Sequence, residues 1–156
     1  MKILMVCLGN ICRSPLADGL LREKVKQEGL DVMVDSCGTS GHHAGESPDN
    51  RMTKTAKSKG IDISDLRSRQ ITKADLDDFD IIYVMDESNK ENVLKLTSND
   101  EQISKIRIYL NEAFPGQNLE VPDPYYGGDA GFEHVFSLVE RNTEEIITKL
   151  KSNSLA

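Results

Sequence analysis

Cys7 and Arg13 are separated by five residues, Leu8-Gly9-Asn10-Ile11-Cys12, and followed by Ser14-Pro15. A thiol and a guanidinium at the two ends of so short a loop suit the capture of an oxyanion beside a nucleophile. Hydrolysis of a phosphate monoester without metal needs an ionised nucleophile, donors around three equatorial oxygens and an acid for the leaving group. Thiols at helix N-termini beside a cation are the ones that ionise near neutral pH. A guanidinium holds two phosphate oxygens at once and keeps its proton. Cys7 is therefore the candidate nucleophile and Arg13 the candidate clamp, with the backbone N–H groups of residues 8–13 as the remaining donors. Gly9 and Asn10 tolerate the positive φ that an anion-binding nest requires. The Asn10 side chain can brace the loop, and the Ser14 hydroxyl can donate to the thiolate. The bare Cys-x5-Arg spacing is a weak signal, and the Gly, Asn and Ser-Pro neighbours add most of its weight. The competing reading of Cys7 is a small buried hydrophobe at a strand end.

The elements around this loop have to present it. Residues 2–7 (KILMVC) form an almost wholly apolar run, as expected of a central strand covered on both faces. Ser14 reads as an N-cap and Pro15 as the first helical residue. Leu16, Leu20, Leu21 and Val25 make one stripe of that helix, and Gly29 is its stop. A second strand is read over 32–36. The glycine-rich stretch 37–48 has no periodicity and is expected to face the site. A helix follows over about 48–59, ended by Gly60, and Thr72 with Asp75 reads as a capping box. Residues 81–84 are the clearest strand, with Asp86 or Ser88 capping the helix after it. Residues 106–110 read as a fourth strand, and the last helix spans about 130–150. Strands alternating with helices predict an α/β fold with a mostly parallel sheet. Strand carboxyl ends then share one side, where the loops after the first three strands and the Asp123 loop can meet.

The 156 residues predict a single domain over 1–151 with a flexible tail over 152–156. A net charge of −7 speaks against broad nucleic-acid binding and against adhesion to anionic membranes. No stretch approaches the ~20 apolar residues of a membrane span, and no signal-peptide pattern is present. The three cysteines at 7, 12 and 37 form neither a disulfide framework nor a zinc array, so no metal is expected. A cytoplasmic location is the consistent one.

The segment Val6-Cys7-Leu8-Gly9-Asn10-Ile11-Cys12-Arg13-Ser14-Pro15, with Asp123-Pro124-Tyr125-Tyr126 far downstream, resembles the low-molecular-weight protein tyrosine phosphatases. Gly45 with Ser47-Pro48-Asp49, Arg69-Gln70-Ile71-Thr72, and Phe79-Asp80 through Met85-Asp86-Glu87-Ser88-Asn89 match as well, so the resemblance spans almost the whole chain. It implies a central four-stranded parallel sheet flanked by helices on both faces, with the phosphate-binding loop between strand 1 and helix 1. It also implies a phosphocysteine mechanism without cofactor, acting on phosphotyrosine protein substrates, with inorganic phosphate or another oxyanion accepted in the loop. A monomer is expected. Under the resemblance Cys7 is the nucleophile, Arg13 the clamp, and Asp123 the general acid that later serves as base. Asn10, Ser14 and Ser36 resemble the loop-bracing network. Tyr125 and Tyr126 resemble one wall of the cleft, and Leu8 faces the substrate ring. Cys12 matches a second loop cysteine that can pair reversibly with Cys7 under peroxide.

The chain departs from that family at three places. His42 stands where an aromatic residue often lines the cleft. Cys37 replaces a common alanine and reads as a buried spectator. A histidine used by some members near residue 66 is missing, so that branch of the bracing network has to differ. Arsenate reductase, on the same scaffold, needs two further cysteines near residues 78–90 that this chain lacks. A phosphoarginine phosphatase resembles a chain with Thr at the position of Ile11, so Ile11 favours an aryl ester. A non-catalytic phosphate-binding module is expected to lack Cys7, Arg13 or Asp123, and all three are present.

Overall fold

The first strand sorts its side chains by the two-residue period of extended chain. The computed structural model describes residues 1–124 and 128–155. Tyr125 and Tyr126, read above as a cleft wall, lie outside the described residues. In β1 (Lys2–Cys7), Ile3, Met5 and Cys7 enter one apolar core, and Leu4 and Val6 enter another. The first core is completed by Leu16, Leu20, Leu21 and Val25 of α1 (Arg13–Gln27) and by Phe132, Val135 and Phe136 of α6 (Gly128–Lys151). The second takes Leu76 of α3 (Asp75–Asp78) and Val93 of α4 (Glu87–Leu94). Helices therefore cover both faces. Each fully buried leucine of the α1 stripe contributes roughly 1.5–3 kcal/mol.

The remaining elements are β2 (Met33–Gly38), α2 (Asn50–Ser58), β3 (Ile81–Val84), α5 (Asp100–Ser104) and β4 (Ile106–Ile108). All four strands are parallel, in the order β2-β1-β3-β4. β1 thus has a neighbour on each side, and the chain changes direction across it. Open parallel sheets bind ligands at such a switch point, outside the strand carboxyl ends. Among the described residues no helix is long and apolar enough to cross a membrane.

Several expected boundaries move, each for a local reason. α1 starts at Arg13, one turn deep in the loop, so Ser14 and Pro15 lie inside its first turn and Ser14 caps nothing. β2 runs to Gly38 because its ladder follows β1 to the last residue, Cys7 opposite Gly38. α2 starts at Asn50, with the Asp49 carboxylate accepting from the Arg51 N–H at 2.8 Å. Only half of the Thr72–Asp75 box forms. The Asp75 carboxylate takes the Thr72 N–H at 2.8 Å, but the Asp75 N–H goes to the Thr72 carbonyl. β4 ends at Ile108, where a 3-10 turn (Tyr109–Asn111) sets Tyr109 edge-on to Tyr83, with ring centroids 5.6 Å apart. The segment after α6, read as a loose tail, is tied at Leu155. That side chain is buried and its carbonyl accepts from Arg107 at 2.7 Å. Gly29 and Gly60 do end their helices, in the left-handed conformation expected of them.

Candidate active site

Backbone hydrogen bonds carry the loops beyond the sheet edge together. The Thr39 and Ser40 N–H groups donate to the carbonyls of Cys7 and Leu8 at 2.9 and 3.0 Å, so the loops after β1 and β2 leave side by side. On the other flank the Met85 N–H donates to the Val6 carbonyl at 3.1 Å, and the Val121 N–H to the Met85 carbonyl at 2.9 Å. That second stitch delivers Asp123 to the site across more than a hundred residues of sequence. Gly38 sits where the first pair of loops touch. A Cβ there would lie 2.7 Å from the Leu8 carbonyl oxygen and 3.0 Å from that of Ser40.

The loop over residues 8–12 is braced from behind by buried polar side chains. Asn10 adopts φ 55°, the left-handed conformation an asparagine tolerates. Its amide donates to Ser14 Oγ at 2.8 Å and to Ser36 Oγ at 3.0 Å, and its Oδ1 accepts from the Arg69 N–H at 3.0 Å. Ser14 Oγ lies 3.0 Å from Cys7 Sγ. Ser14 Oγ accepts from Asn10 and has its own hydrogen to give, with Cys7 Sγ nearer than its other acceptor, the Cys37 carbonyl at 3.4 Å. Ser68 donates to the Gly9 carbonyl at 3.0 Å. The Arg69 backbone and the Ser68 hydroxyl thus occupy the branch for which no histidine is available. Arg69 is itself held between Asp35, at 3.0 Å, and Asp75, at 2.9 Å. The N–H groups of residues 8–12 donate to no protein acceptor among the described residues.

Arg13 is buried and its guanidinium is aimed by two acceptors. Nη1 donates to Asp86 Oδ2 at 2.7 Å and to the Val121 carbonyl at 3.0 Å, while Nη2 lies 3.9 Å from Asp123 Oδ2. Burial works against its charge, but the negative charge of Cys7 and the hydrogen bond to Asp86 outweigh it and raise its pKa. Asp86 also caps α4, its other oxygen accepting from the Asn89 N–H at 2.7 Å. One carboxylate therefore fixes both a helix start and the clamp.

Cys7, Leu8, Gly9, Ile11, Cys12, Arg13, Ser40, His42, His43 and Asp123 line one cleft of about 440 Å³. Leu8 is half exposed at its mouth, whereas Cys7 at its floor is almost fully buried. Burial, and then the negative charges of Cys7, Asp49 and Asp123, push the Cys12 thiol up, so it stays protonated. Burial does the same to Cys37, which is fully enclosed. Of the residues expected at the site, Asn10, Ser14 and Ser36 stand behind the cleft rather than in its wall. No group of three or more His, Cys, Asp or Glu able to hold a metal ion occurs among the described residues.

Sequence reasoning missed Asp86 as a partner of Arg13, having read it only as a helix cap. It also missed Ser68 and Arg69 behind the loop, and His43, whose ring packs over Gly9 and whose Nδ1 pairs with Glu46. A second histidine beside His42 was a visible signal for the last. Nothing local marks the others.

An oxyanion cradle, with a thiol at its floor and a buried guanidinium in its wall, on the carboxyl edge of a parallel sheet defines a phosphate-handling α/β protein. Comparison narrows the class. The model of the low molecular weight phosphotyrosine protein phosphatase family matches residues 2–155. The human low molecular weight phosphotyrosine protein phosphatase is 41% identical over 151 residues, covering 95% of this chain and 94% of that one. The crystal structure of a protein tyrosine phosphatase from Entamoeba histolytica, with Hepes in its active site, has a TM-score of 0.91 at 38% identity. It covers 99% of both chains. Vibrio vulnificus Wzb in complex with benzylphosphonate has a TM-score of 0.84 at 26% identity, covering 95% of this chain and 97% of that one. The chain belongs to the low-molecular-weight phosphotyrosine protein phosphatases, and it is a protein-tyrosine-phosphatase.

Proposed function

We propose that the chain hydrolyses phosphotyrosine in proteins, and small aryl phosphates, through a phosphocysteine on Cys7. The Cys7 thiolate attacks phosphorus in line with the ester oxygen, forming the S–P bond as the P–O bond breaks. Asp123 gives its proton to the departing phenolate. Water then attacks the phosphocysteine, Asp123 takes a proton from it, and the S–P bond breaks to release inorganic phosphate and the thiolate. The Arg13 guanidinium and the N–H groups of residues 8–12 hold the equatorial oxygens, and Ser14 steadies the leaving sulfur. Charge on the phosphoryl group is thus met by the chain's own donors.

The observation that carries this reading is the common cleft of Cys7, Arg13 and Asp123, with Arg13 Nη2 3.9 Å from Asp123. The apolar side chains of Leu8 and Ile11 at the same cleft favour an aromatic leaving group. Turnover of p-nitrophenyl phosphate in the presence of a chelator tests it. Cys7→Ser should lose roughly three or more orders of magnitude in kcat, and Asp123→Ala roughly a hundredfold. An active Cys7→Ser variant rejects the mechanism. Equal turnover of phosphotyrosine and phosphoarginine peptides rejects the aryl preference.

A further inference from the structure

The stretch Arg69-Gln70-Ile71-Thr72 has no part in the mechanism above, yet it runs behind both loops of the site. It lies against the end of β2, where the Gly38 N–H donates to the Arg69 carbonyl and the Ile71 N–H to the Gly38 carbonyl, each at 2.8 Å. One residue earlier, the Ser68 N–H donates to the Glu46 carbonyl at 2.9 Å and the Ser68 carbonyl accepts from Gly45 at 2.8 Å. The Arg69 N–H donates to Asn10 Oδ1 at 3.0 Å. That bond decides which way the Asn10 amide faces. With Oδ1 turned to Arg69, both amide hydrogens point to the far side, where Ser14 Oγ and Ser36 Oγ accept them at 2.8 and 3.0 Å.

The side chain of the same arginine is fixed at both edges of its fork. Nε and Nη2 donate to Asp35 Oδ2 at 3.2 and 3.0 Å, and Nη1 and Nη2 donate to Asp75 Oδ2 and Oδ1 at 2.9 and 3.1 Å. Asp35 belongs to β2, and Asp75 is buried at the start of α3. Asp75 Oδ2 also accepts the Thr72 N–H at 2.8 Å, which pins the turn that follows. A planar guanidinium held bidentately on one side and again on the other leaves its own backbone little freedom. Every link from the fork to the sulfur is then a hydrogen-bonded contact. Asp35 and Asp75 hold Arg69, the Arg69 N–H holds Asn10, Asn10 donates to Ser14, and Ser14 Oγ lies 3.0 Å from Cys7 Sγ.

We propose that Arg69 is a positioning residue of the phosphatase. Its guanidinium, fixed by Asp35 and Asp75, holds the backbone N–H that orients Asn10, and through Asn10 it aims Ser14 at Cys7. Arg69 is not among the residues that line the cleft, and it touches neither substrate nor the reacting sulfur. The role rests on the reading of Cys7 as nucleophile. Ser14 serves the sulfur as it attacks and as it leaves, so breaking the fork costs kcat rather than KM.

The test is kcat and KM for p-nitrophenyl phosphate, with unfolding by denaturant, at a temperature where each variant is folded. The variants are Arg69→Gln, Arg69→Lys, Asn10→Ala and the double variant of Arg69→Gln with Asn10→Ala. Arg69→Gln keeps the backbone N–H and loses the fork, and should lower kcat by about tenfold with KM within about twofold. Arg69→Lys keeps the charge but cannot span the three carboxylate oxygens that the fork holds. It should regain most of the stability and only part of kcat, and it carries the test where Arg69→Gln does not fold. In the Asn10→Ala background, Arg69→Gln should cost at most about twofold further in kcat, while its loss of stability persists. A merely structural role would lower stability and leave the kcat of the folded enzyme unchanged. Wild-type kcat in either Arg69 variant, or strictly additive kcat losses in the double variant, would overturn the proposal. Cys7→Ser measured alongside separates the cases. If it is inactive while Arg69→Gln keeps its kcat, only Arg69 is misassigned. If it is active, the mechanism itself falls.

Discussion

Two loops leave neighbouring strands side by side, and they are built differently. The one after β1, residues 8–12, is held chiefly by buried side chains, from three separate stretches of chain: Asn10 and Ser14, Ser36, and Ser68 with the Arg69 backbone. The one after β2, residues 39–49, is held chiefly by backbone bonds. Ala44 donates to the Gly41 carbonyl and Glu46 to that of His43, and residues 45–46 exchange bonds with Ser68. Its side chains at the cleft, His42 and His43, face solvent to different degrees. The first loop presents atoms that must meet a phosphoryl group within tenths of an ångström, and buried, fully used hydrogen-bonding groups supply that rigidity. The second presents a rim that can vary without disturbing the chemistry, as loops positioned by a rigid scaffold generally do.

The contrast breaks most severely at the point where the loops touch. Gly38→Ala drives a methyl group into two carbonyl oxygens, and one loop has to move. Chemical denaturation should report a loss on the order of 4 kcal/mol, with activity lost at any temperature where the protein stays folded. Asp86→Ala comes next. It leaves the buried Arg13 guanidinium without its carboxylate and α4 without its cap, and should cost roughly 3 to 5 kcal/mol in the same measurement. Oxyanion affinity, read by phosphate inhibition, should weaken together with stability. If affinity holds while stability falls, the Val121 carbonyl alone suffices to aim the clamp.

Asp18, buried on α1, gives a smaller and pH-dependent effect. Burial pushes its folded-state pKa up to about 6, above the ordinary value of 3.8. Its contribution is therefore fully present below pH 3.8 and is lost as the pH rises through 6. The stability of wild type relative to Asp18→Asn should fall across that window by roughly 2 to 3 kcal/mol. A difference that rises with pH would mean the charged form is the better accommodated one. The smallest effects belong to the rim. His43→Ala should change KM by about two- to fivefold and leave kcat within about twofold, with stability within ~0.5 kcal/mol. A kcat loss of about tenfold or more would show the second loop to be as closely coupled to the chemistry as the first.

The sequence by itself determined what depends on neighbours along the chain. The alternation in residues 2–7, the Leu16–Val25 stripe, the stops at Gly29 and Gly60, and the grouping of Cys7, Asn10, Arg13 and Ser14 follow from local periodicity and backbone preference. The helix start was misread because Ser14 and Pro15 suit a cap in isolation. The Ser14 hydroxyl goes instead to Cys7 and Asn10, a choice made by what lies across the loop. Tertiary structure alone decided which distant groups complete the site. Asp86, Val121 and Asp123 reach Arg13, and Ser36, Ser68 and Arg69 reach Asn10 or Gly9, across 26 to 110 residues of chain, as the parallel sheet sets its strand order and register. Such contacts leave no local pattern, because a carboxylate that caps a helix reads the same in sequence whether or not its second oxygen holds an arginine. The same is true of Asp18. Along the chain it is an acid four residues before an arginine, and only the tertiary structure buries it completely.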